Sequence, residues 1–137
     1  MKKVELLSPA GDIETLEMAI KNGADAIYIG GKNFGARAFA KNFNKEELKK
    51  AVDLAHTYDK KLYVTANTII FENEIEEFLK YMTYLYEINV DAVIMQDIGL
   101  ISAAHKRFPD LVIHASTQCH NHNDQGLKIM QDLGVTR

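Results

Sequence analysis

The sequence is poor in residues that hold small proteins together by covalent or metal links. It has one cysteine, Cys119, two prolines and no tryptophan in 137 residues. A single cysteine excludes an internal disulfide, and alone it cannot hold an iron-sulfur cluster or a structural zinc ion. No apolar run approaches the ~20 residues that cross a bilayer, and the first apolar segment is too short for a signal peptide. We therefore expect a soluble, cytoplasmic protein with no membrane partner.

An excess of positive charge is also missing. The chain carries 16 Lys and Arg against 19 Asp and Glu, which gives a net charge of -3. The net charge of the whole chain therefore does not favour binding to nucleic acid or to an anionic membrane. A local basic patch remains compatible with this composition. No low-complexity or proline-rich stretch divides the chain, so we expect one domain or one part of a domain.

Short apolar runs alternate along the chain with segments of helical periodicity. The pattern predicts strands at residues 4–7, 26–29, 61–66, 93–95 and 111–115. It predicts helices from residue 13 to the Asn22-Gly23 stop, at 44–58, 72–88 and 98–108, and after a cap at Asp124. Five βα units in strict alternation indicate an α/β fold with a parallel sheet.

The ends of three helices repeat a short module. Gly23-Ala24-Asp25-Ala26 recurs as Asn89-Val90-Asp91-Ala92, and Gly134-Val135-Thr136 is a third copy with a sixth strand expected next. The first strand lacks a G-x-G-x-x-G sequence after it, and polar residues follow every strand, which favours a (β/α) barrel over a doubly wound sheet. We therefore predict that residues 1–137 form the N-terminal part of an incomplete TIM-type barrel that stops before its sixth strand.

An incomplete barrel has edge strands that the rest of the barrel would pair. We expect the first and fifth strands to be bare edges. Because a parallel edge with two buried faces is not stable in water, we also expect self-association through these open edges.

Polar residues lie at the carboxyl end of each predicted strand, where active sites of barrel enzymes are found. We assign catalytic roles to His114, Asp97 and Gln96, and we assign no metal ligands. We assign substrate binding to eight residues at the same rim: Ser8, Gly30, Gly31, Lys32, Arg37, Asn67, Ser116 and Gln118. The expected partner is a small anionic substrate, a peptide or RNA.

Two of these assignments compete with helix capping. The turn at residues 8–12 suits an anion at a helix N-terminus, and it equally suits a tight turn capped by Asp12. Asp97 suits a general base or a group that holds a substrate hydroxyl, and it equally suits the cap of the helix that begins at Ile98. Both alternatives stay open at the level of sequence.

The glycine-rich segment after the second strand combines a permissive backbone with Lys32, Phe34 and Arg37. Two cations and an aromatic ring suit a phosphate or a carboxylate, with Arg37 offering a bidentate fork. The alternative is a mobile surface loop with solvated cations. We favour the functional interpretation, since a long glycine-rich loop between compact elements usually has a role.

The histidines and the cysteine lie in and after the fifth strand. Alternation directs His114 either into the barrel interior, where it would contact substrate, or toward the helices. His120 and His122 lack the i, i+4 helical pairing of zinc sites, so we interpret them as polar loop residues. Cys119 and His120 are neighbours in sequence, and the side chains of adjacent residues rarely point toward each other. We therefore do not interpret them as a nucleophile and its base.

Five segments occur in the order ELLSPAGD, ADAIYIGGKNFGAR, the strand end at Asn67, MQDIG and HASTQ. In this order they resemble the N-terminal part of the collagenase-like peptidases of unassigned catalytic type, peptidase family U32. The resemblance extends over nearly the whole chain and implies a barrel-like domain of a bacterial cytoplasmic protein of several hundred residues. Cys119 stands where we expect a methionine or a similar apolar residue in relatives.

The resemblance implies two different activities. Family members carry a peptidase label, and some are linked to collagen degradation. Others act in oxygen-independent hydroxylation of tRNA or ribosomal RNA bases, with prephenate as the oxygen source, or in ubiquinone biosynthesis. Several of those hold an iron-sulfur cluster through cysteines in the later half of the protein. We therefore expect no cofactor to be bound within these 137 residues.

Our main functional prediction is a collagenase-like peptidase-family enzyme, a hydrolase by family label. The first alternative is a prephenate-dependent tRNA or rRNA base hydroxylation factor whose full-length form holds an iron-sulfur cluster. The second alternative is a non-catalytic scaffold half. The residues themselves show no triad, zinc motif or paired aspartates, so proteolysis rests on the family label.

Overall fold

The computed structural model of the chain describes residues 4–36 and 41–137. Within these residues, parallel strands alternate with α-helices as the sequence predicts. The strands are β1 (Leu7–Pro9), β2 (Ala26–Gly30), β3 (Lys61–Ala66), β4 (Ala92–Met95) and β5 (Ile113–Ala115). The helices are α1 (Ile13–Lys21), α2 (Lys45–Thr57), α3 (Ile75–Glu87), α4 (Ile98–Arg107) and α5 (Asp124–Asp132). Short 3-10 turns precede α3 and follow β5.

The strands form one sheet in the order β1-β2-β3-β4-β5. Every pair of neighbours is parallel, and every pair is consecutive in the chain. A doubly wound sheet reverses its strand order at a switch point, whereas a barrel adds each strand beside the last. The topology therefore confirms the α/β class and fits part of a (β/α) barrel.

Alternation along the strands divides their side chains between two faces. Ile27, Val64 and Val93 point to the helices and belong to the main hydrophobic core. Tyr63 belongs to a second, smaller cluster on the opposite face. That second cluster comprises Ala26, Tyr63 and Ala92, packed against Leu7, Tyr28 and Ile94. We call this opposite face the inner face, because it corresponds to the interior of a barrel.

Capping residues set where the helices begin. Asn44 accepts the backbone N-H of Glu47 at 2.8 Å, and the Glu47 carboxylate accepts the N-H of Asn44 at 2.8 Å, which confirms the expected capping box. Asp12 caps α1 by accepting the N-H of Thr15 at 2.9 Å. The cap of α5 is Asn123, which accepts the N-H of Gly126, so the predicted cap at Asp124 is one residue too late.

In its three copies, the helix-exit module joins a unit to the strand before it. The Asp25 carboxylate accepts the N-H of Leu6 at 2.9 Å, and the Asp91 carboxylate accepts the N-H of Leu62 at 2.7 Å. In the third copy, the N-H of Thr136 donates to the carbonyl of Ile113 at 3.0 Å. The module thus holds the start of one strand against the preceding strand.

Two predictions about the sheet need correction. The first strand lies at Leu7–Pro9 rather than at residues 4–7, because its parallel ladder pairs Leu7 with Ala26 and continues to Pro9, opposite Tyr28. The fifth strand is not a bare edge, since Val135 forms a bridge to Ile113 and the N-H of Ala115 donates to the carbonyl of Arg137 at 2.7 Å. Self-association through open edges stays a prediction.

None of the helices in residues 4–36 and 41–137 combines the length and the apolar composition that crossing a bilayer requires.

Candidate functional site

A cleft of about 650 Å³ lies on the inner face of the sheet. Its walls come from alternate residues of the strands and from the turns that follow them. Tyr28, Ile94 and His114 contribute from the strands, and the β1-α1 turn contributes Gly11. The cleft therefore opens where carboxyl ends of parallel strands meet, as expected for an active site of this fold.

Asn67 and Ser116 join two strand ends at the rim of the cleft. The Nδ2 atom of Asn67 donates to the Oγ atom of Ser116 at 3.2 Å, and its Oδ1 atom accepts the N-H of Ala36 at 3.1 Å. The N-H of Gln118 also donates to Ser116 Oγ at 3.2 Å. One chain of hydrogen bonds thus connects the loops that follow β2, β3 and β5.

The segment after β2 packs partly against α3, while its residues Lys32, Asn33 and Ala36 are exposed. Phe34, at a positive φ of 61°, has ring-centroid distances of 5.2 Å to Phe78 and 5.7 Å to Tyr81 of α3. The carbonyl of Phe34 also accepts a hydrogen bond from Thr68 Oγ1 at 3.2 Å. Phe34 therefore anchors the described part of this loop against α3, beside the cleft.

Charged and aromatic side chains interact on the same inner face. The Glu5 carboxylate accepts hydrogen bonds from the Tyr63 hydroxyl at 2.8 Å and from the Arg137 guanidinium. The hydrogen bond from Arg137 lowers the pKa of Glu5, against the opposing effect of burial. Burial, together with the hydrogen bond to Glu5, raises the pKa of Tyr63 to about 12. Arg137 and Glu5 therefore neutralise each other.

His114 packs edge to face against Tyr63, with ring centroids 4.8 Å apart and planes at 79°. Burial lowers the pKa of His114, and the nearby charge of Arg137 lowers it further. The imidazole is therefore neutral at pH 7 and can both donate and accept a hydrogen bond. Of the two orientations left open by the sequence, the structure shows the inward one.

The cleft brings together only some of the predicted site residues. Those that line it are Gly30, Asn67, His114, Ser116 and Gln118. Gly31, Lys32, Ser8, Gln96 and Asp97 do not line it, and Arg37 lies outside the described residues. Ser8 pairs with Ile27 in the sheet register, so its side chain shares the helix face.

The capping alternatives are observed at two of the predicted sites. The N-H groups of Gly11 and Asp12 both donate to Thr15 Oγ1 at 3.1 Å, so these donors are occupied within the β1-α1 turn. Asp97 accepts the N-H of Leu100 at 3.0 Å and caps α4. Gly31 is buried against α3, where its lack of a side chain makes room for the Tyr81 hydroxyl.

Cys119 is the single thiol of the chain, and it is partly buried. Its Sγ atom lies 3.5 Å from the carbonyl oxygens of Met95 and Gln96, and burial raises its pKa. A raised thiol pKa disfavours the thiolate that a nucleophile or a metal ligand needs. Across the described part of the chain, no three His, Cys, Asp or Glu side chains lie close enough together to hold a metal ion.

Sequence reasoning missed several residues of the inner face. Tyr28 and Thr65 line the cleft, and Glu5 and Tyr63 lie on the same face without having been singled out. The alternation in KLYVTA places Tyr63, Thr65 and Asn67 on one face, which was a usable signal for the two β3 residues. The contact between Glu5 and Arg137 carries no local signal, because 132 positions separate the two residues.

Comparison with known proteins gives relatives that match almost the whole chain. The chain is 42% identical over 135 residues to the 23S rRNA 5-hydroxycytidine C2501 synthase of Escherichia coli K12, which covers 98% of this chain and 20% of the relative. It is 36% identical over 137 residues to tRNA hydroxylation protein P of the same organism, which covers 100% of this chain and 30% of the relative. The chain thus spans less than a third of the length of these two relatives.

A solved structure and a family model agree with these relatives. The structure of the U32 peptidase Mk0906 superposes with a TM-score of 0.77 at 14% identity, over 97% of this chain and 56% of that chain, which is a likeness of fold. The model described as "Peptidase family U32" matches residues 11–137. The chain therefore belongs to peptidase family U32, as the order of its strand-end segments indicated.

Proposed function

We propose that this chain is part of a protein that hydroxylates bases in RNA. The observation that carries the proposal is identity of 36–42%, over 98–100% of the chain, to one ribosomal RNA and one tRNA hydroxylation protein. The family alone does not decide the activity, because the family name refers to peptidases whereas these two relatives are named for RNA hydroxylation. RNA is the proposed macromolecular substrate of the whole protein.

The inner cleft supports a binding role for a flat polar molecule. Tyr28, Ile94 and His114 offer aromatic and apolar surface, and the linked Asn67 and Ser116 offer hydrogen-bonding groups at the rim. Bases that undergo chemistry in RNA are typically held between such surfaces and read along their polar edges. His114, neutral at pH 7, is the candidate for proton transfer at this site.

The peptidase activity remains the second candidate because of the family name and the fold neighbour. Covalent proteolysis needs a hydroxyl or thiol activated by a base within hydrogen-bonding reach. Among the described residues, no hydrogen bond joins a serine, threonine or cysteine side chain to a histidine, and the pKa of the Cys119 thiol is raised. The described site therefore supports hydroxylation of a bound base better than peptide hydrolysis.

The proposal for the whole protein includes prephenate as the oxygen-donating co-substrate and an iron-sulfur cluster as redox group. The described residues do not fit the cluster, since Cys119 is the chain's one cysteine and its thiol bonds to backbone carbonyls. We therefore derive no step through a cluster. Cysteines elsewhere in the full-length protein would have to supply its ligands.

The test is a deletion of the full-length gene, followed by mass spectrometry of nucleosides from tRNA and ribosomal RNA. We expect a hydroxylated base to disappear and to return when the full-length gene is restored. His114→Ala in the restored gene should prevent the return, while Ser102→Ala on α4 serves as a control.

Hydrolysis of gelatin and of peptides by the purified full-length protein is measured in parallel. An unchanged nucleoside profile together with hydrolysis that His114→Ala abolishes would favour the peptidase. RNA binding without any modified base would favour the scaffold alternative.

A further inference from the structure

The hydrogen bonds around Ser116 determine what its hydroxyl can do. A backbone N-H can only donate, so the bond from Ala36 identifies the oxygen end of the Asn67 amide. The other end, Nδ2, is therefore the group that faces Ser116 Oγ at 3.2 Å. Asn67 donates to Ser116, and the reverse direction is excluded.

A second donor occupies the same oxygen. The N-H of Gln118 lies 3.2 Å from Ser116 Oγ and can only donate to it. A serine hydroxyl has one hydrogen and two acceptor lone pairs. Both lone pairs are taken by these two donors, so the hydroxyl hydrogen is the one bonding capacity that remains. Within residues 4–36 and 41–137, no acceptor for that hydrogen is found.

This hydroxyl is placed to meet a ligand. Ser116 is the buried polar residue of the described chain, with 7% of its surface exposed, and it lines the inner cleft. A buried donor without an acceptor is costly, and hydrogen bonds that run in one direction polarise one another. The arrangement therefore presents a directed donor to whatever occupies the cleft.

The charges of the cleft favour an uncharged acceptor. Arg137 is bound to Glu5, and Lys41 lies 3.8 Å from the Asp12 carboxylate. Both cations of the described lining thus face a carboxylate already. Beside them, the rings of Tyr28 and His114 offer surface for a flat ring. A carbonyl oxygen on an aromatic ring fits this combination.

We propose that the Ser116 hydroxyl donates a hydrogen bond to the C2 carbonyl of a pyrimidine base and that Asn67 positions this donor. The inference rests on the proposed function, which supplies RNA as the substrate. The C2 carbonyl is the one carbonyl of cytosine, and the name of one relative gives 5-hydroxycytidine as its product. Asn67 acts through Ser116 and is a positioning residue, since both ends of its amide are already bonded within the protein.

The experiment measures binding of cytidine 5′-monophosphate and its 2-thio analogue to the full-length protein by calorimetry. Sulfur at C2 accepts hydrogen bonds weakly, so the wild type should prefer the oxygen compound by about threefold to tenfold. Ser116→Ala should bring this ratio close to one, and Ser116→Thr should preserve it. Ser102→Ala, the same substitution on α4 away from the cleft, should also preserve it.

The ratio is internal to each variant, so a general loss of stability does not imitate the result. A wild type that binds both nucleotides equally overturns the inference, even if Ser116→Ala does not fold. A preference that persists in Ser116→Ala overturns it too. Loss of base hydroxylation in the deletion strain without any oxygen preference would leave the proposed function standing and reject this role of Ser116. A clear preference with unchanged RNA would reject RNA as the substrate.

Discussion

The hydroxyl of Tyr81 occupies the position that a Cβ atom on Gly31 would need. Tyr81 is 5% exposed, and its hydroxyl has no hydrogen-bond partner among the described residues. The glycine-rich loop after β2 is therefore held against α3 by close packing. This relationship gives the second glycine of the loop a structural role, where the sequence suggested substrate binding.

Gly31→Ala should destabilise the protein by about 1–3 kcal/mol, because the added methyl group overlaps the Tyr81 side chain. Tyr81→Phe removes the overlapping oxygen and should recover part of this cost in the double variant. Urea unfolding of the wild type, both single variants and the double variant measures the coupling. Gly99→Ala in α4, where the nearest atom is 3.4 Å away, should not destabilise. Strictly additive effects would show that the two residues do not compete for the same space.

Asp91→Ala should lower the free energy of unfolding by about 1–3 kcal/mol, because the buried N-H of Leu62 then loses its acceptor. Asp91→Asn keeps an oxygen at that position and should cost less. His56→Ala removes only the half-exposed partner of Asp91 and should cost under about 1 kcal/mol. Thermal or urea unfolding of the three variants gives the ranking. Equal losses for the alanine and asparagine variants would contradict the backbone role of Asp91.

Glu5 should make stability depend on acidic pH. The hydrogen bond from Arg137 lowers the pKa of Glu5 below 4.5, so the unfolded chain takes up this proton first as pH falls. The contribution of Glu5 is therefore complete above about pH 4.5 and is lost as pH drops through the lowered pKa of the folded state. Unfolding midpoints measured between about pH 7 and pH 3 should fall less steeply for Glu5→Gln than for the wild type. The exposed Glu87→Gln serves as control, and identical slopes for the wild type and Glu5→Gln would refute the linkage.

His114 should titrate below the usual value of 6.5, chiefly because it is buried and secondly because of Arg137. Its folded pKa is depressed, so it reduces stability as pH falls below about 6.5, where the unfolded chain binds the proton more readily. NMR titration of the histidine rings measures this pKa directly. Arg137→Gln should raise it toward the usual value, whereas Arg107→Gln on α4 should not. A ring that titrates at or above 6.5 in the wild type would contradict the buried, neutral imidazole.

Periodicity predicted the elements well because burial imposes it. The run at residues 61–66 is confirmed as β3, and the spacing of Asn44 and Glu47 is confirmed as a capping box. Periodicity reports which residues share a face, and it does not report which distant side chains meet. For that reason alternation showed which residues share a face with His114, but it did not show whether that face is the inner face or the helix face. The hydrogen bond between Glu5 and Arg137 was not predicted from the sequence for the same reason.

The sequence indicated less of the cleft lining than of the fold. Strand-end position drew attention to Asn67 and Ser116, which the structure joins at the rim. The same rule also selected Asp97, whose side chain is engaged with the first turn of α4. A polar residue that follows a strand can either cap the next helix or line the cleft. The sequence does not distinguish these two roles, because it does not show the direction of the side chain.

The aspartates of the helix-exit module have a consequence for how the chain folds. Each ties its unit to the strand immediately before it, and the described strands pair with their neighbours in the sequence. Contacts in the sheet therefore close short loops, which keeps the entropic cost of each step low. A βα unit can dock as soon as it has been synthesised, without waiting for later sequence. The fold is thus suited to assembly in order from the N-terminus while the ribosome is still translating.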